Sequence, residues 1–193
     1  MKIYFLRHGE RGHGEEQDTL TEIGIEQAKR ASKFFKNIKI EKIICGNSNR
    51  AKKTAEMILR YVDCKLEYTS QVNEQSLGIF EGKSKKEWDE AVKNSELSEK
   101  EFRPLNGENR KDAYDRAKKF IQILKKSNYN SILVISHSGF ISDIITLILN
   151  FSEEENIHFK TGFSAISYFE LDDKNFEVKD FYIGNLTHLG KYK

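Results

Sequence analysis

The sequence predicts an α/β fold: a three-layer α/β/α sandwich around a mainly parallel, mixed central sheet, in one domain covering residues 1–193. Three observations carry this. Short apolar runs rich in β-branched residues alternate with segments of helical period, the order expected of parallel strands joined by crossover helices. Two β-type runs, 165–171 and 176–183, flank Asp172-Asp173-Lys174-Asn175, which reads as a hairpin and adds antiparallel strands. No repeat, low-complexity tract or interdomain linker interrupts the 193 residues, a length that suits one domain with a real core.

The elements follow in order. Residues 2–7, beginning Lys2-Ile3-Tyr4-Phe5-Leu6, read as the first strand. Residues 21–37 read as a helix, because Ile23, Ala28, Ala31, Phe34 and Phe35 recur near a 3.6 period. A short buried strand is expected at 42–45. A second helix follows at 48–61, with Ala51, Ala55, Ile58 and Leu59 on one side, and then another short strand at 65–68. Ser84 opens a further helix through a capping box, since Glu87 follows three residues later. Asn109 caps a long amphipathic helix running to about residue 126, with Ala113, Ala117, Phe120, Ile121 and Leu124 inward. Residues 131–136 hold four consecutive apolar residues and form a central strand; residues 139–150 are apolar on nearly all sides and are expected to be buried. Residues 75–110 differ in composition, being highly charged and weakly periodic. They read as an insertion over the carboxyl edge of the sheet: a lid or specificity segment, or else a surface excursion without ligand contact.

Bulk properties narrow the function. Lys and Arg (32) nearly balance Asp and Glu (30), for a formal net charge of +2, which argues against a nucleic-acid partner. The short basic runs at 83–86 and 110–111 read as solvated faces. Cys45 and Cys64 have no metal-ligand spacing and are expected as buried thiols of a reducing compartment; no metal site or cofactor is evident. The longest apolar stretch, 140–149, is broken by Ser142, Asp143 and Thr146 and falls far short of the roughly 20 residues needed to span a bilayer. The N-terminus runs straight into a strand without a charged-then-apolar leader. The expectation is a cytoplasmic protein without a membrane partner, either monomer or homodimer.

The chemistry is concentrated at strand ends. Arg7-His8-Gly9-Glu10 follows the first strand, and His137-Ser138-Gly139 follows the strand at 131–136. Open α/β sheets bind ligands at their carboxyl edge, where two strand-end histidines distant in sequence can meet. Phosphoryl transfer to a side chain needs a nucleophile, positive charge around the phosphoryl oxygens, and a proton for the leaving oxygen. A neutral imidazole is a good nucleophile near pH 7. His8 fits, and neighbouring arginines would lower its pKa further. Arg7 and Arg50 suit the clamp, because a planar guanidinium binds two oxygens at once and stays charged. Arg50 also sits at a predicted helix start, where free N–H groups favour anions.

Five segments, in order and spanning most of the chain, carry a resemblance to a known family. They are Arg7-His8-Gly9-Glu10; Leu20 to Ala28, containing Thr21-Glu22-Ile23-Gly24; Ser48 to Ala55, containing Arg50; Asn73-Glu74 leading to Gly78 and Glu81-Gly82; and Ser136-His137-Ser138-Gly139. On these the chain resembles the histidine phosphatase superfamily, in its phosphoglycerate-mutase-like branch. The resemblance implies that His8 is the residue phosphorylated and that Arg7, Arg50 and His137 hold the phosphoryl group. Ser138, with the N–H groups that open its helix, could add to that pocket. Glu74 is implied as the general acid, with Glu81 in reserve. Three departures stand out: Gly14 where many relatives have Asn, Ser138 where Gly is common, and Phe80 where Trp is frequent. Arg11 or His13 would be the substitutes for the missing Asn, in a glycine-rich loop that otherwise reads as mobile. Glu10 is expected to orient the Arg-His loop.

The function expected is a metal-independent phosphomonoester phosphatase acting on a small phosphorylated metabolite. A phosphoglycerate mutase is the alternative, disfavoured by the short chain. A module that only recognises phosphate would have no need of both a nucleophile and an acid. Lys83, Lys85, Lys86 and Arg103 would favour an acidic substrate or else face solvent. Trp88, Phe80 and Phe102 would line an apolar pocket or else anchor the insertion.

Overall fold

In the computed structural model the described residues are 1–152, 155 and 157–193. Six strands form one sheet: β1 (Lys2–Arg7), β2 (Lys42–Cys45), β3 (Lys65–Tyr68), β4 (Ser131–Ser136), β5 (Ile166–Leu171) and β6 (Val178–Asn185). Their order is β3-β2-β4-β1-β5-β6. The β1–β4, β2–β4 and β2–β3 pairs are parallel, while β5 runs antiparallel to both β1 and β6. The expected mixed, mainly parallel sheet is therefore present, with the hairpin on one flank.

Side-chain alternation along each strand builds two cores on opposite faces. Ile3 and Phe5 of β1, Ile132 and Val134 of β4, and Phe169 of β5 point to one face. There they meet α4 (Arg110–Lys125) and α5 (Ser138–Ile148) through Ala117, Phe120, Leu124, Ile141 and Ile144. Tyr4 and Leu6, Leu133 and Ile135, and Ile43 point to the other face. They pack on α1 (Glu22–Phe35) and α2 (Asn49–Ile58) through Ala31, Phe35, Ala55 and Ile58. Each fully buried Ile, Leu or Phe contributes on the order of 1.5–3 kcal/mol relative to exposure. The three layers follow directly.

Capping explains the helix starts. Thr21 accepts from the Gly24 N–H at α1, and Ser48 accepts from the Ala51 N–H at α2. The capping box predicted from Ser84 and Glu87 is present at α3 (Lys85–Asn94), and Asn109 forms a second one with Asp112. Some boundaries and faces differ from expectation. α1 ends at Phe35 and α2 at Ile58, short of the expected ends at 37 and 61, and α5 begins one residue early at Ser138. Ile23 is 45% exposed, because Gly24 takes the inward position at the first turn of α1. Cys64 is only half-buried, since β3 is an edge strand, whereas Cys45 is fully buried. The hairpin strand begins at Val178 rather than 176: Phe176 adopts φ 63° and its N–H donates to the Asp172 carbonyl inside the turn. A C-terminal 3-10 segment, Thr187–Tyr192, docks on α1. It carries no periodicity by which the sequence could announce it. No helix among the described residues is long and apolar enough to cross a membrane.

Candidate active site

The parallel strands β2, β4 and β1 are neighbours, so the residues that follow them share one edge. His8 lies just past β1 and His137 just past β4. Both are buried, at 3% and 2% exposure, and their ring centroids are 5.0 Å apart. A cleft of about 620 Å³ opens there, lined by Arg7, His8, Arg50, Glu74, His137 and Ser138, all six residues singled out from the sequence. Glu81 lies on the same cleft, exposed and accepting from the Leu77 N–H at 2.8 Å.

The His8 loop is fixed before any side chain acts. Its N–H donates to the Ser136 carbonyl at 3.0 Å, and its carbonyl accepts from Ser164 at 3.1 Å. The next residue must be glycine, because a Cβ on Gly9 would lie 2.3 Å from the Gly24 carbonyl oxygen. A Cβ on Gly24 would in turn lie 2.0 Å from the Glu10 carbonyl oxygen, which explains why a glycine stands in the first turn of α1. Glu10 does orient the loop: its carboxylate accepts from the Thr21 hydroxyl at 2.9 Å, and its N–H donates to Gln27.

The hydrogen bonds determine which imidazole nitrogens carry protons. His8 Nδ1 lies 2.7 Å from the Gly9 carbonyl oxygen, which can only accept, so Nδ1 holds the proton. The lone pair is left on Nε2, where it accepts from Arg50 Nε at 3.2 Å. His137 is the opposite tautomer. Its Nδ1 accepts from the Arg50 guanidinium at 3.2 Å, so its Nε2–H faces Ser48 Oγ at 3.3 Å. One guanidinium therefore spans both rings, and Asp18 holds it from behind at 2.9 Å. The Arg7 guanidinium carbon stands 4.0 Å from the centre of the Phe163 ring, and Arg7 donates to the Thr161 carbonyl at 2.6 Å. Its Nε is buried without a hydrogen-bond partner.

Burial, reinforced by Arg50 and Arg7, pushes the His8 pKa down to about 3, with the Gly9 carbonyl opposing. His137 is also lowered well below its usual value, by burial first and then by His8 and the arginines. The native pKa of His8 lies below its unfolded value. The unfolded chain therefore takes up the proton first, and stability is lost as pH falls below about 6.5. By about pH 5, His8 alone should cost the native state about 2 kcal/mol. We expect the His8 ring resonances to show no titration between about pH 5 and 8. We also expect His8→Asn to lose less stability than the parent on acidification through that range. Equal pH slopes in denaturant titrations of the two proteins would contradict this assignment.

Glu74 is placed by backbone rather than by side chains. Its two oxygens accept from the Gly139 and Phe140 N–H groups at 3.1 and 3.2 Å, at the start of α5. A Cβ on Gly139 would lie 2.3 Å from Glu74 Oε1. This corrects one expectation: the Gly139 N–H holds Glu74 instead of contributing to a phosphate pocket. The Ser138 hydroxyl faces Thr161 Oγ1 at 3.4 Å. The segment carrying Glu74 is clamped in turn by Arg116, which donates to the carbonyls of Gln71, Asn73 and Glu74 at 3.1, 2.8 and 3.2 Å. Glu108 grips Arg116 at 2.8 Å with each oxygen and accepts from the Ser76 N–H at 3.0 Å.

Asp18, Thr161, Phe163, Glu108 and Arg116 escaped the sequence reading. Each acts through a contact beyond local reach; even Glu108 and Arg116 stand eight residues apart, outside the i,i+4 spacing that a helical pattern announces. The loop at 11–16 contains a 3-10 turn, Gly14–Glu16, and Arg11 bridges to Leu20. Gly14 has φ +59°, a backbone conformation suited to glycine. Arg11 lines the cleft, whereas His13 is not among its lining residues. Among the described residues, no group of three or more His, Cys, Asp or Glu side chains is arranged to hold a metal ion.

Next to this cleft lies a second cavity of about 480 Å³, which shares Arg11, Gln17, Gln75 and Leu77 with it. Phe80 and Trp88 line it, as do Lys83 and Lys85. Phe102, Lys86 and Arg103 do not. Phe102 backs the Trp88 ring at 5.2 Å, Lys86 faces solvent beside Glu90, and Arg103 pairs with Asp112.

A sequence profile of the histidine phosphatase superfamily (branch 1) matches residues 3–184, and the chain belongs to that family. It is a phosphoryl-transfer enzyme of the phosphatase and phosphoglycerate-mutase-like type. It is 25% identical over 186 residues to the adenosylcobalamin/alpha-ribazole phosphatase of Escherichia coli, covering 90% of this chain and 92% of the relative. It is 25% identical to a probable phosphoglycerate mutase of Salmonella paratyphi A, covering 77% of this chain and 75% of that protein. The crystal structure of the alpha-ribazole phosphatase from Shigella flexneri superposes with a TM-score of 0.80 over 96% of both chains, at 23% identity.

Proposed function

We propose that this single-domain enzyme is a metal-independent phosphomonoester phosphatase that acts on a small phosphorylated metabolite through a phosphohistidine on His8. One observation carries the reading: the unprotonated Nε2 of His8 faces a cleft in which Arg50, Arg7 and His137 supply the donors. When the phosphoryl group arrives, Arg50 exchanges its bonds to the two rings for bonds to phosphoryl oxygens, and the unpartnered Arg7 Nε gains an acceptor. Nε2 attacks phosphorus in line as the ester P–O bond breaks. Glu74 gives its proton to the departing oxygen. Water then attacks the phosphohistidine and loses its proton to the Glu74 carboxylate. Phosphate leaves, and both residues return to their starting forms.

We favour hydrolysis over transfer between hydroxyls on the phosphatases among the relatives, and we assign the insertion at 75–110 as a lid and specificity segment. With 3-phosphoglycerate and 2,3-bisphosphoglycerate present, we expect phosphate release with little 2-phosphoglycerate. Interconversion faster than phosphate release would make the enzyme a mutase. Relatives named for alpha-ribazole make alpha-ribazole phosphate a compound for the substrate panel, beside sugar phosphates.

A further inference from the structure

The cavity beside the catalytic cleft has its own chemistry, and it bears on the leaving group. Its volume of about 480 Å³ is in the range that holds a small molecule. It opens directly into the cleft, since Arg11, Gln17, Gln75 and Leu77 belong to both walls. One wall is aromatic. Phe80 and Trp88 meet edge to face at 5.6 Å, and Phe102 backs both rings. That three-ring packing fixes the surface that the cavity offers. Trp88 is further fixed by the hydrogen bond from its Nε1 to Glu99 at 3.2 Å.

The remaining wall is cationic. Arg11, Lys83, Lys85, Lys100 and Arg110 line the cavity with one carboxylate, Glu99, whose oxygen is bound to Trp88; Arg110 is itself paired with Asp143, so Arg11 and Lys83 are the cations placed to meet an anion. Lys83 stands over the Phe80 ring at 5.1 Å, and Lys85 is paired with Asp89 at 2.9 Å. Arg11 reaches the cavity and the catalytic cleft together. The protein as a whole carries only +2, so this concentration of positive charge is local. Clefts lined by one sign of charge raise the local concentration of the opposite ion.

Resting on the phosphatase reading, we infer that the preferred substrate is a phosphomonoester whose leaving group carries a flat aromatic or apolar body and a second anionic group. The phosphoryl end sits on Arg7, His8 and Arg50. The body lies against Phe80 and Trp88, and the second anion meets Lys83 and Arg11.

Matched aryl phosphates test this. The wild-type enzyme is assayed for phosphate release from 3-carboxyphenyl, 3-carbamoylphenyl and 3-(aminomethyl)phenyl phosphate. The first two share shape and differ in charge. The expected order of kcat/KM is carboxylate, then amide, then ammonium. The carboxylate advantage over the amide should be roughly five- to tenfold, the scale of one or two partly screened ion pairs. It should shrink as ionic strength rises. Lys83→Glu should abolish or invert that ratio. For the aromatic wall, 2-naphthyl phosphate should exceed phenyl phosphate, and Trp88→Ala should erase the difference. Equal kcat/KM for the carboxylate, amide and ammonium compounds in the wild type would overturn the inference while leaving the phosphatase reading intact. Absence of phosphate release from every compound would overturn both.

Discussion

His8→Asn is expected to abolish phosphate release, by roughly 10⁴-fold or more, while leaving the fold in place. The size follows from the role: the chemical step has no alternative nucleophile, and loss of a covalent nucleophile removes a whole reaction route rather than one stabilising contact. His137 is not a substitute. Its Nδ1 lone pair points at the Arg50 guanidinium, and its Nε2 carries the proton directed at Ser48. The fold should persist because the loop is held by its backbone, through the bonds from the His8 N–H to Ser136 and from the Ser164 N–H to the His8 carbonyl. Asparagine is smaller and polar. Below about pH 6 it also removes the cost of keeping that imidazole neutral, and near neutral pH a stability loss below about 2 kcal/mol is expected. Residual activity within roughly tenfold of wild type, on a properly folded protein, would remove His8 from the chemistry.

Glu74→Gln is expected to slow turnover by roughly 10²- to 10⁴-fold, but unequally across substrates. An alkyl phosphate leaves as a strongly basic alkoxide and needs the proton. Nitrophenolate is a weak base and departs without it. The variant should therefore lie much closer to wild type on p-nitrophenyl phosphate than on a sugar phosphate. The comparison is cleanest in the pre-steady-state burst, which isolates formation of the phosphoenzyme from its hydrolysis. Glutamine keeps an oxygen for one of the Gly139 and Phe140 N–H groups, so the segment should stay seated with Arg116 still clamping it. Equal loss in the burst for both substrates would exclude Glu74 as the leaving-group acid. Glu81, on the same cleft, would then be the next residue to test.

Much of this site was legible because strand-end residues inherit their position from the sheet. Arg7-His8 and His137 follow apolar runs that could only be central strands, and β1 and β4 do pair in parallel, with Arg7 opposite Ser136. Arg50 was equally legible, since Ser48 caps the helix that presents it. The supporting contacts were not. Phe163 and Thr161 come from an irregular segment after α5, and nothing local says that they meet Arg7. Glu74 was found by motif, yet its seat on the α5 N-terminus depends on the tertiary approach of two loops. The Gly139 N–H, expected among the donors of the phosphate pocket, accordingly goes to Glu74. The same limit applies to Ile23. A 3.6 period cannot tell which residue of a first turn yields its place to a glycine contact.

The proposed mechanism passes the phosphoryl group through Nε2 of His8. The direct measurement is to quench the enzyme in alkali shortly after mixing with labelled substrate, and then to locate the label by peptide mass spectrometry and phosphorus NMR. The expected product is an alkali-stable, acid-labile phosphohistidine at His8, bonded through Nε2, because Nδ1 is committed to the Gly9 carbonyl. Label on Nδ1 of that ring, on another residue, or on none while phosphate is being released, would contradict it.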